Sequence, residues 1–90
     1  MNDTPTYAHI DWSRRHFASM AEGGVWSIPR SGMIFQRRGD ALVLIERMPH
    51  DPQMPITAAE LDQQQRDEFD VVKKHFNAAG IAVRWEAGDL

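Results

Sequence analysis

Five of the ten basic residues of this 90-residue chain fall in three places where charge can meet a partner: Arg14 and Arg15, Arg30 beside Ser31, and Arg37 with Arg38. An arginine cluster of this kind can hold phosphates or an acidic protein surface through forked, charge-assisted hydrogen bonds. Pro29-Arg30-Ser31-Gly32 and Gly39-Asp40 are both turn sequences at either end of one short β-prone run, so the arginines cannot all form one compact site. Arg37 and Arg38 with Arg14 or Arg15 make the narrower candidate. Charged hairpin tips also keep sheets soluble, so that reading stays open beside the functional one. Trp26 is the fourth candidate contact, as an interface or core aromatic or as a base-stacking platform. The candidate binding residues are therefore Trp26, Arg30, Arg37 and Arg38.

Other chemistry has less support. His9, His16, His50 and His75 are scattered, without the His-Glu-x-x-His spacing of a zinc helix. Partial burial accounts for His16, and a favourable place near a helix C-terminus for His75. Ser13, Ser19, Ser27 and Ser31 lack a Gly-x-Ser-x-Gly turn, no phosphate loop is present, and there is no cysteine to act as nucleophile or thiolate ligand. We expect no catalytic residues, no metal and no cofactor.

The elements that position these residues read clearly in places. In the stretch from Met33 to Met48 two β-prone runs flank Gly39-Asp40, a hairpin signal with glycine where a type II′ turn needs positive φ. The register stays open between a two- and a three-residue loop. Ala41-Leu42-Val43-Leu44-Ile45 is apolar without alternation, which predicts a central strand covered on both faces. Met1 to Ile10 reads as an irregular lead-in. Asp11 is a candidate N-cap for a first helix that Gly23-Gly24 stops, with Phe17, Met20 and Ala21 on one face and Trp12 and His16 beside it. Val25-Trp26-Ser27-Ile28 is a short strand. Pro49, Pro52 and Pro55 recur at the polyproline II repeat and predict a stiff, extended crossover over residues 48–56, with docking of its prolines on an aromatic groove the lesser alternative.

Thr57-Ala58-Ala59-Glu60 is a capping box, with Ile56 and Leu61 as its hydrophobic staple. Leu61, Gln65, Phe69, Val72, Phe76 and Ala79 then form one stripe of an amphipathic helix, while Asp62, Asp67 and Asp70 face water. Gly80 ends that helix, with Ile81 reaching back to Phe76 in a Schellman arrangement. Ile81-Ala82-Val83-Arg84-Trp85-Glu86 alternates as a last strand, parallel to its neighbour because a helix precedes it. The predicted class is α+β: a single domain with a small, mostly antiparallel sheet of three to four strands and two helices, in the order α-β-β-β-α-β.

Composition narrows the function classes. At 42% hydrophobic and 26% charged residues the chain can bury a core. Its net charge of −3 disfavours a duplex-binding surface; residues 1–50 hold six arginines against five acids, and the remainder four basic residues against eight acids. No stretch is apolar for the roughly 20 residues of a membrane span, and no signal peptide is evident, so a cytoplasmic protein is expected.

At His16-Phe17, Gly24-Val25-Trp26-Ser27-Ile28-Pro29-Arg30-Ser31-Gly32, Met48-Pro49-His50 and His75-Phe76-Asn77-Ala78-Ala79-Gly80, the chain resembles short proteins of unknown activity encoded by tailed, especially marine, phages. The resemblance spans most of the chain and implies no cofactor or catalytic residue; it implies a phage-type accessory protein that binds a host or virion protein, in the host cytoplasm. The reading is a small non-enzymatic interaction protein with a protein partner, or a homo-oligomer formed through an exposed sheet edge. The alternative is a nucleic-acid-binding module using the arginines of the hairpin and first helix.

Overall fold

The structure is a computed structural model that describes residues 4–88. Helix α1 (Tyr7–Ser19) is followed by strands β1 (Val25–Ile28), β2 (Met33–Arg38) and β3 (Ala41–Arg47), helix α2 (Ala58–Ala78) and strand β4 (Ala82–Trp85). The strands form one sheet in the order β1-β2-β3-β4, antiparallel except for the parallel β3–β4 pair. The α+β class, the element order and the parallel last strand all follow the sequence reading.

The hairpin turns through two residues, since Arg38 faces Ala41. Gly39 has φ +60° while no non-glycine residue has positive φ among the described residues, as a type II′ turn requires. Phe35 pairs with Leu44 but Ile34 with Glu46, so Ile45 is the extra residue of a β-bulge. Register then sets the faces. Trp26, Phe35 and Leu44 share the inner face with Trp85, and both helices lie on that side, with Phe17, Phe69 and Phe76 reaching the same core. The molecule is two layers, 17 Å along its thinnest axis.

The expectation that β3 is central and buried on both faces is met from Ala41 to Leu44. Ala41, Leu42, Val43 and Leu44 are all buried, but no second layer covers the outer face among the described residues. On that face Val43 is flanked in register by Gln36 and Arg84.

The first helix begins earlier than Asp11 and runs through much of the expected lead-in; Met1 to Asp3 lie outside the described residues. Thr6 caps it, accepting from the backbone N–H of His9, while the His9 ring accepts from the N–H of Thr6. Threonine and histidine thus make a capping box whose usual Glu/Gln is missing, which hid it. Asp11 is interior and pairs with Arg15 at 2.6 Å. The helix also stops before Gly23-Gly24, at Ser19, and Ala21 lies beyond it, exposed. Arg37 supplies the ending: its Nη1 donates to the carbonyls of Phe17 and Met20 at 3.0 and 2.9 Å. A cation at a helix C-terminus satisfies carbonyls that have no intrahelical donor and opposes the macrodipole.

Helix α2 is specified as expected. Thr57 and Glu60 exchange hydrogen bonds of 3.0 and 3.1 Å, which pulls the Glu60 carboxyl below its ordinary pKa. At the other end the N–H groups of Gly80 and Ile81 donate to Asn77 and Phe76, the Schellman pattern.

The crossover at 48–56 is not extended throughout. Asp51-Pro52-Gln53-Met54 forms a turn in which the Met54 N–H donates to the Asp51 carbonyl and the Gln53 N–H to its carboxylate. Asp at the first and Pro at the second position of a turn is a stronger local instruction than the three-residue proline spacing. His50 Nε2 lies 2.8 Å from the Ile56 carbonyl and ties the loop across its mouth.

Candidate functional site

Two helices and an edge strand converge on an aromatic corner. Trp12 and His16 are one turn apart on α1, and their rings stack at 4.7 Å with an interplanar angle of 6°. Trp26 points inward from β1 and meets His16 at 4.5 Å and Phe35 at 5.6 Å. The ring centres of Trp12, Trp26 and Phe76 form a near-equilateral triangle, with separations of 5.8, 5.7 and 6.1 Å. Trp12 stays half-exposed, an unusual place for so large an apolar surface.

This corner walls a cleft of about 330 Å³ between β1 and α2, into which Ile28, Pro29, Val71 and His75 also project. A second hollow of about 420 Å³ continues it along α2, lined by Arg30, Ser31, Gln64 and Asp67. Glu68 and Val71 line both, so the two form one groove running from Trp12 to Arg30. Val71 is 46% exposed, an apolar residue set off the buried stripe of α2.

One polar atom packed behind the two tryptophans is unsatisfied. His16 Nε2 is buried without a hydrogen-bond partner, and burial lowers the pKa of the ring, favouring its neutral form. His75 is also lowered, first by burial and then by the charge of His9, whose ring stacks on it at 4.2 Å. Among the described residues the indole N–H groups of Trp12 and Trp26 have no protein acceptor, whereas that of Trp85 donates to the Ala87 carbonyl at 3.0 Å.

The four sequence candidates separate. Trp26 and Arg30 stand at the two parts of the groove; the Arg30 side chain is 88% exposed and only 3.9 Å from Glu68. Arg37 is turned toward the helices, ending α1 and lying 4.3 Å over the ring of Phe17. Arg38, the next residue, belongs to the opposite sheet face and binds Glu86 at 2.6 Å and Gln36 at 2.8 Å. Arg15 is held by Asp11. The structure therefore does not assemble Arg37, Arg38 and the helix arginines into one patch.

Trp12, Glu68, Val71 and His75 also belong to the site, and none of them is among the candidate binding residues read from the sequence. Val71 carried a signal, an apolar residue on the otherwise wet side of a strongly patterned helix. Glu68 carried none. Among the described residues no group of three or more histidines and acids is placed to hold a metal ion. No helix among them is long and apolar enough to cross a membrane. What the groove offers is aromatic and aliphatic surface, a carboxylate, an imidazole and an adjacent strand edge. No family model, curated protein or solved structure matches this chain.

Proposed function

We propose that this chain is a non-enzymatic protein-interaction module that takes an extended segment of a partner protein along β1 and into the groove beside α2. The observation that carries the reading is the aromatic-walled cleft opening directly beside a sheet edge. Every second residue of an edge strand turns its N–H and C=O outward, and an added strand takes up those groups. Its alternate side chains then project toward the groove, where Trp12, Trp26 and Val71 bury them. Pro29 follows β1 immediately and has no N–H to offer, which limits the added pairing to Val25–Ile28.

Trp26 is the central contact in this reading, since tryptophans at the middle of well-walled pockets dominate interface energies. The nucleic-acid alternative draws less support, because Arg37 and Arg38 already hold protein groups on opposite faces.

Selection of peptides from a random displayed library tests the proposal. Selected peptides should share an extended, alternating apolar pattern, and Val71→Gln should weaken them about fivefold without loss of fold. Peptides bound equally well by Val71→Gln and Trp26→Ala, with both variants shown to be folded, would contradict it. So would a dimer in solution that buries β1 against β1.

A further inference from the structure

We infer that the groove selects a basic side chain, lysine or arginine, on the partner segment, so that the occupant is a cationic extended peptide. This inference rests on the groove reading above and adds the chemistry of its ligand.

Three observations point the same way. The first is the aromatic wall: Trp12 and Trp26 both line the cleft and offer apolar surface along which an aliphatic stem can pack. The second is Glu68, which lines both hollows and is partly shielded from water, with Asp67 further along the groove. The third is the state of the histidine at the cleft. His75 has its pKa lowered, so at neutral pH it adds no positive charge to compete with a bound cation.

Arg30 is the opposing charge and sits at the far end of the groove. Its contact with Glu68 is 3.9 Å long and its side chain is almost wholly in solvent, so the pair is weak and a ligand cation can displace it. An aliphatic stem between aromatic walls with the charge at the carboxylate suits lysine and arginine, whose stems bury while their heads remain charged.

Three synthetic peptides of one alternating threonine-valine sequence test this, differing only at the central position as lysine, its neutral isostere norleucine, or glutamate. Each is titrated into the full chain with Trp fluorescence and amide NMR as readouts. The lysine peptide should bind at least tenfold tighter than the norleucine peptide, and Glu68→Gln should reduce that lysine-over-norleucine ratio about fivefold. The glutamate peptide should bind weakest.

Norleucine binding as tight as lysine, with shifts at Val25–Ile28, would overturn the cation inference and leave the groove reading standing. A lysine preference unchanged by Glu68→Gln would overturn the role assigned to Glu68. No peptide shifting those amides at millimolar concentration would overturn the groove reading and this inference with it.

Discussion

Trp26 and Trp85 occupy related places, each on the inner face of an edge strand beneath α2, yet their surroundings differ in kind. Trp85 is closed in. Its N–H is held by Ala87, its ring meets Phe69 at 5.1 Å, and the guanidinium groups of Arg47 and Arg66 lie 5.0 and 5.1 Å from it. Arg47 is itself 4% exposed and donates to Asp62 at 2.5 Å, to Gln65, and to the Gly88 carbonyl. A hollow of about 280 Å³ remains there, bounded by the charged Arg66 and Asp70. Trp26 instead lines an open groove, and its indole N–H has no acceptor among the described residues. A domain this small cannot leave polar groups and aromatic surface open at both ends without losing stability. The satisfied end holds the fold, and the open end is the one our proposal assigns to a partner.

Breaking the closed end should have the largest effect on folding. Arg47→Ala removes the donor to Gln65 and Gly88 and strips the cover from Trp85, which should cost about 2–4 kcal/mol in urea unfolding. Gln65→Leu should approach that loss, because the buried amide also donates to the carbonyls of Ser31 and Met48 at 3.0 Å each. Gly32 sits at the same crossing: at φ +70°, a Cβ there would stand 2.3 Å from the Met48 Cβ, so even alanine forces the strands apart.

Arg37→Ala frays α1 and should cost about 1–2 kcal/mol, with amide exchange rising first in Phe17 to Met20. Because α1 carries Trp12 and His16, that variant should also lose peptide binding. Arg38→Ala, exposed and on the outer face, should change stability by at most about 0.5 kcal/mol and leave binding intact.

Acid separates the two ends by pH range. Burial lowers the His16 and His75 pKa values in the folded protein, so the unfolded chain takes up protons first as pH falls. Stability should be full above about 6.5, the unfolded histidine value, and decline as pH drops from there toward the lowered folded values. Asp62 is held low chiefly by its hydrogen bond from Arg47, so its contribution persists above the unfolded carboxylate range and is lost only in stronger acid, as pH falls through its folded value. Unfolding free energy measured between pH 7.5 and 3 should therefore show two declines. His16→Phe should flatten the upper one and raise neutral-pH stability slightly, by removing a buried nitrogen without a partner.

How much of this was legible follows the locality of the signals. Thr57 with Glu60, Gly80 with Ile81, and Gly39 with Asp40 are instructions written within a few residues, and each is realised. Thr6 with His9 is equally local but uses a residue pair outside the familiar pattern, so the start at Tyr7 was hidden behind Asp11. Asp51-Pro52 was legible too, but the proline spacing pointed elsewhere. Arg37 and Arg47 were legible only as charges. Their partners lie 17 and 20 residues away for Arg37 and 15, 18 and 41 away for Arg47, and nothing in the residues themselves tells a helix-ending arginine from a free one. The groove is less local still, since Trp12, Trp26 and Val71 come from three elements whose packing only the fold reveals.

The three tryptophans supply the most direct test of the central claim, since each gives its own indole N–H resonance. On titration with a selected peptide or with the lysine peptide, the signals of Trp12 and Trp26 should move together with the amides of Val25–Ile28, while that of Trp85 stays fixed. Movement of Trp85 with Trp12 and Trp26 unchanged would place binding at the other end of the sheet and contradict the account.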